Sequence, residues 1–235
     1  SVLEVIYLIF NEGYAASRGD ELIRPQLCQE AMRLGRILVG LAPQEPEAHA
    51  LLALMELQAS RFKARVSADG SALTLETQNR RLWDRLLIQR GLEGLANISR
   101  LNGEDGVYAL QAALAAVHAR AARFSETDWA LSSALYDRLL ERLPSPVGAL
   151  NRAVAHAMAE GPEVGLALLT EIEDAPQLAA YPPFHAAKGD FLLRLGRTAQ
   201  AQAAFDVAVG LSANATERAF LQERAAQCRA RSGSA

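Results

Sequence analysis

Apolar positions recur every three to four residues through most of the chain. Gly or Pro interrupts each run, so the pattern predicts a succession of amphipathic helices. The first, Ser1–Asn11, is apolar over most of its length and is expected to stop at Glu12-Gly13, where Gly13 suits a left-handed C-cap. From about Leu22, residues Leu27, Ala31, Leu34, Ile37, Leu38 and Leu41 keep helical spacing up to Pro43. Glu47–Lys63 follows, with Leu51, Leu52, Leu54, Met55 and Leu57 facing inward. Periodicity then changes. Asp69-Gly70, flanked by alternating apolar positions, predicts a short hairpin or ordered loop near 64–78. Helix resumes over Asn79–Leu101, with Leu82, Leu86, Leu92, Leu95 and Ile98 as its apolar stripe. Asn102–Gly106 reads as a linker.

Beyond the linker the pattern turns repetitive. Helices are predicted at Val107–Ala122, from Thr127 or Asp128 to Leu143, at Pro146–Ala159 and at Glu163–Glu173. Phe184–Leu195, Thr198–Leu211 and a closing helix from Thr216 to about Arg229 complete the series. A tetratricopeptide unit has 34 residues in two antiparallel helices, with small residues where the helices approach and an Ala-x3-Phe signature on the second. Phe184–Leu211 fits it: Gly189 at the small position, Gly196 at the turn, and Ala201, Phe205 and Ala208 on the second helix. Tyr136 lies about two periods before Phe205. The unit between them is degenerate, with Glu171 where an aromatic belongs. The expected fold class is therefore all-α: a helical-hairpin array with a non-repeating N-terminal half, 1–104, and two to three tetratricopeptide-like repeats within 105–235. An irregular bundle of hairpins would leave the class unchanged.

Charge alters this picture only locally. The net charge of −3 lacks the basic excess of a dedicated nucleic-acid binder. Residues 60–100 nevertheless hold eight Arg or Lys against four acids, and 126–174 hold nine acids against three Arg. Such opposed patches suit docking on partners, or solvated helix faces. Cys28 and Cys228 form no metal-binding or disulfide pattern, which points to a reducing, cytoplasmic setting. No run reaches the ~18 apolar residues of a membrane span. The apolar start is no secretory signal, and the absence of an initiating Met suggests a fragment of something longer.

Catalytic signatures are missing. His49, His118, His156 and His185 fall on separate helices without a metal-ligand spacing, and no nucleophile elbow or phosphate loop occurs. The expectation is a non-enzyme without cofactor or metal. Arg18-Gly19-Asp20 reads as a turn. Small-molecule sensing in a helical cleft would need no motif. The informative features are polar islands in apolar surroundings: Asn11, Glu12 and Tyr14; Gln78, Arg80, Trp83 and Asp84; Asp128 and Trp129 with Tyr136; and Asn151 with Arg152. Trp beside Arg and Asp is a hot-spot mixture for protein contacts, or else a core anchor. Asp128 suits an N-cap. Asn151 and Arg152, on a first repeat helix, suit a clamp on a partner.

Five of these stretches, in order, resemble one family. They are Tyr7-Leu-Ile-Phe-Asn-Glu-Gly-Tyr14, Gln78-Asn-Arg-Arg-Leu-Trp-Asp84, Tyr108–Ala113 with Ala116-Val-His118, Asp128-Trp129 with Leu135-Tyr-Asp137, and Leu150-Asn-Arg-Ala-Val154. Together they are similar to the long C-terminal extension of a group of bacterial extracytoplasmic-function (ECF) sigma factors. One departure is Asn79, where that family has Asp. The resemblance implies a regulatory, protein-interaction domain. It would modulate transcription initiation through its own sigma domains or core RNA polymerase, and promoter DNA would be touched only by sigma regions two and four, absent from this fragment. It also implies that the twelve island residues named above bind partners. The competing expectation is a free-standing tetratricopeptide-like scaffold that binds a peptide segment of another partner.

Overall fold

The computed structural model of the chain describes residues 1–14, 24–67, 73–213 and 215–232. Among these the protein is all-α, with twelve α-helices, three short 3-10 turns and no β-strand. The chain divides into two units, Ser1–Asp128 and Trp129–Ala235.

The first unit holds α1 (Val2–Tyr14), α2 (Pro25–Leu41), α3 (Pro46–Ala59), α4 (Arg85–Arg100) and α5 (Val107–Arg120). Helix α3 is its axis. It is apolar around its circumference, as a helix wrapped by others must be, and α1, α2, α4 and α5 all pack on it. Pro46 starts α3 at a position whose N–H would have no helical partner. The Glu47 carboxylate accepts the Tyr108 and Ala109 N–H groups at 3.0 and 3.1 Å, capping the positive end of α5. Glu56, 3% exposed, is a carboxylate inside this core. Burial raises its pKa, although Arg36 hydrogen-bonds it at 2.9 Å.

Three sequence expectations need correction here. Helix α1 does not stop at Glu12-Gly13 but runs through Tyr14. Gly13 is a helical, buried residue: a Cβ there would meet Cys28 Sγ at 2.7 Å and the Arg24 carbonyl at 2.8 Å. Its role is close approach of α1 to the start of α2, not a left-handed cap. Second, the helix expected from Asn79 is broken. Arg80–Leu82 is a 3-10 turn, Trp83 is extended, and α4 begins only at Arg85, so Leu82 and Leu86 lie exposed instead of inward. Third, the division falls after Asp128 and not at 104/105. Helix α5 packs on α3 and α4, which places it with the first unit. The Asp69-Gly70 turn and the Arg18-Gly19-Asp20 tripeptide lie outside the described residues. Beside the former, the Leu73 N–H donates to the Arg65 carbonyl at 2.8 Å.

The second unit runs α6 (Trp129–Arg142), α7 (Pro146–Ala159), α8 (Pro162–Ile172), the single turn α9 (Pro176–Ala179), α10 (Pro182–Arg194), α11 (Thr198–Leu211) and α12 (Ala215–Ser232). Pro opens α7, α8, α9 and α10, each at the first helical position. Packing passes along the chain from α6 to α7, α8, α10, α11 and α12, the stepwise burial of a hairpin array. Phe205, Ala201 and Ala208 are buried on α11, and the Phe205 ring comes within 2.9 Å of where a Gly189 Cβ would stand. Only glycine lets that ring close the α10–α11 pair. No helix among the described residues is long and apolar enough to cross a membrane.

Candidate functional site

The Gln78–Asp84 stretch is shaped by two short side-chain caps. Asn79 Oδ1 accepts the Arg81 N–H at 3.1 Å and fixes the 3-10 turn. Asp84 Oδ1 accepts the Leu86 and Leu87 N–H groups at 3.0 and 3.1 Å and starts α4. The Asp84 N–H in turn donates to the Ser60 carbonyl at 2.8 Å, tying this stretch to the end of α3. Asp84 therefore caps a helix. The cap at Asn79 needs a side-chain oxygen two residues back from the N–H. Asn supplies that oxygen as Asp would, so the departure at this position leaves the turn intact.

Between the caps, Trp83 is driven inward and is only 4% exposed. It is a core anchor. The Arg80 and Arg61 guanidinium groups lie 4.7 and 5.6 Å from its ring centroid, a cation–π arrangement. Arg80 is 8% exposed and donates to the carbonyls of His118 and of Ala121, the latter at 2.9 Å. It thereby closes the C-terminal end of α5, where carbonyls lack helical partners. Gln78, also buried, accepts from Arg61 Nε at 3.1 Å and donates to the Leu73 carbonyl at 3.0 Å.

The same short segment after α3 reaches the other island of this unit. Arg65 stacks 3.6 Å from the Tyr14 ring centroid and donates to the Tyr14 carbonyl. Phe10 stacks on Tyr14 with centroids 5.5 Å apart, and Phe62 tilts against it at 5.7 Å. Glu12 pairs with Arg24 at 3.4 Å, and Asn11 is exposed on α1. Tyr14 and the Trp83 stretch, distant in sequence, thus meet through Arg61 and Arg65, four residues apart. Sequence reasoning missed both arginines. Their only signal was the basic excess of 60–100.

Positive charge accumulates here. Neither Arg61, Arg65, Arg80, Arg81 nor Arg85 makes an ion pair among the described residues. Burial first, and then the charge of Arg61, lowers the Arg80 pKa. Burial, then Arg61 and Arg80, pushes the His118 imidazole down to about 4, so it is neutral at pH 7. Beside the hub a cavity of about 350 Å³ opens, lined in part by Arg80, Arg81, Arg85, Arg123, Glu76 and Phe124.

The remaining island residues sit elsewhere. Asp128, exposed, ends the first unit and precedes α6; Trp129 opens α6 and is half-buried. Tyr136 is half-buried on α6, and burial raises its hydroxyl pKa. Its neighbour Asp137 accepts from Arg152 Nε at 2.5 Å and faces His156 Nε2 at 3.2 Å. Burial would raise the Asp137 pKa, but these two partners outweigh it and hold it below the usual range. Arg152 is therefore engaged in a bridge from α7 to α6. Asn151 next to it is exposed, not a buried hydrogen-bonded Asn. Among the described residues no three His, Cys, Asp or Glu side chains are placed to hold a metal ion.

Comparison with known proteins adds two findings. Residues 1–99 match a family of unknown function (DUF6596). That match spans α1 to α4 and includes both islands joined by Arg61 and Arg65. The chain is also similar to the uncharacterized protein R00370 of Rhizobium meliloti (strain 1021), 45% identical over 222 residues that make up 94% of this chain and 52% of the relative. The chain thus spans about half the length of the curated relative it matches.

Proposed function

We propose that this chain is a regulatory protein-interaction domain of an ECF sigma factor, modulating transcription initiation through contacts with its sigma domains or core RNA polymerase. The observation that carries the reading is the meeting of sequence-distant motifs. Asn-Glu-Gly-Tyr14 and Gln78–Asp84 are two of the stretches that resemble that family, and a third ends at His118. Tyr14 meets Arg65, Trp83 meets Arg61 and Arg80, and Arg80 holds the His118 carbonyl. A shared internal hub explains why such motifs would be kept together.

The hub divides labour among the island residues. Gln78, Arg80 and Trp83 are buried and position their neighbours. Asn11, Asp128 and Asn151 are exposed. The packed α10–α11 hairpin supports the same reading, since stacked hairpins present surfaces to protein segments. A relative about twice the length of the matched segment has room for sigma regions in its other half. The test is promoter-directed transcription by the intact sigma polypeptide with and without residues 1–235. Loss or altered control on deletion supports the reading; unaltered transcription refutes it.

A further inference from the structure

The cavity beside Trp83 carries more positive charge than the protein itself satisfies. Four guanidinium groups, Arg80, Arg81, Arg85 and Arg123, line it together with a single carboxylate, Glu76. Of the four, Arg123 is held by Glu126 at 2.7 Å. Arg81 and Arg85 are exposed and make no ion pair among the described residues. The nearby Asp84 makes no ion pair with them; its Oδ1 caps α4. Arg80 adds charge to the wall from behind. It is more than nine-tenths buried, its Nη1 is spent on the His118 and Ala121 carbonyls, and its guanidinium lies against the Trp83 ring, with Nη2 buried and without a hydrogen-bond partner. A charge held in the wall at that cost adds to the field of the two exposed guanidinium groups in front of it.

We propose that this cavity binds a small phosphorylated molecule. Guanidinium forks match phosphate oxygens in pairs, and a phosphoryl group concentrates about −1.5 to −2 charges on three acceptors. One carboxylate would satisfy one fork and leave the others facing each other. The volume of about 350 Å³ stands at the low end of small-ligand cavities, which run from ~300 to ~1,000 Å³. That size suits a small molecule, and the net charge of −3 disfavours a long polyanion. Half-buried Phe124 supplies an apolar wall for the non-phosphate part. The inference does not depend on the transcription reading.

Thermal melting of the full chain tests it, with inorganic pyrophosphate, ribose 5-phosphate and adenosine monophosphate as probes at ionic strength matched with sodium chloride. At about 100 times its Kd, a probe raises Tm by about 5 °C or more. The three arms separate bare phosphate from sugar and nucleotide sources. Arg81→Glu with Arg85→Glu, both exposed, abolishes the shift and weakens binding at least tenfold. Arg85→Ala alone repeats the comparison if the double variant does not fold. The proposal is overturned if no phosphate probe shifts Tm, or if the shift survives in the variants. It is also overturned if a hexaglutamate peptide stabilises the chain and the phosphates do not, which would assign the cavity to an acidic protein segment.

Discussion

At the scale of residues, Arg61, Arg65 and Arg80 set the local chemistry around Tyr14 and Trp83, and they work by stacking on rings and by hydrogen bonds to neutral oxygens. Trp83 shows the consequence. Its ring is enclosed by Arg61, Arg80 and the α4–α5 core, so Trp83→Ala leaves a cavity and strands two guanidinium groups. The expected loss is about 3–5 kcal/mol, read as a Tm lower by on the order of 10 °C. A variant with unchanged Tm and lost partner binding would instead make Trp83 a contact residue. His118 gives a pH dependence. Its folded pKa, about 4, lies below the ordinary value of 6.5, so the neutral form is the native one. The stability this contributes is present above pH 6.5 and is lost as pH falls toward 4, because the unfolded chain takes up a proton that the native state refuses. The loss reaches about 3 kcal/mol at most. Urea unfolding between pH 7 and 4 measures it, and His118→Gln should flatten that part of the profile. The islands themselves were legible in the sequence, because polar residues interrupting apolar helices stand out. Their roles were not. Asp84 as a cap and Arg152 as the partner of Asp137 depend on which backbone or side-chain atoms come near, and periodicity carries no record of that.

At the scale of elements, helix identity followed from the apolar period, and most boundaries fell within two or three residues of the Pro and Gly signals. Pro146–Ala159 and Thr198–Leu211 match the expected spans residue for residue. The failures have a common cause: a tertiary hydrogen bond or a close approach overrode a local signal. The Asp84 N–H bonded to Ser60 ends any helix through Trp83, although Leu82 and Leu86 keep the helical stripe. Gly13 looked like a helix stop, yet it is the point where α1 meets Cys28 and Arg24 of the next segment. That assignment predicts the sign of a substitution. In an ordinary helix interior Gly→Ala stabilises by ~1 kcal/mol. At Gly13 the new methyl would meet backbone atoms that cannot swing aside, so Gly13→Ala should destabilise by about 1–3 kcal/mol in chemical denaturation. A stabilised variant would show that α1 and α2 are not packed as described.

At the scale of the whole molecule, two helical units carry different kinds of order. The first is wrapped around α3 and holds the motif hub; the second stacks hairpins in sequence. The all-α class and the succession of helical hairpins were legible because both rest on local periodicity. The position of the division was not, since α5 reads like a repeat helix and only its packing against α3 assigns it to the first unit. Function at this scale rests on the proposal that the chain regulates a sigma factor. The most direct measurement is promoter-directed transcription in a purified system with core RNA polymerase, comparing the intact sigma polypeptide with one lacking residues 1–235. The account predicts that deletion abolishes or deregulates promoter-dependent transcripts. Equal transcript levels and equal control from both proteins would contradict it.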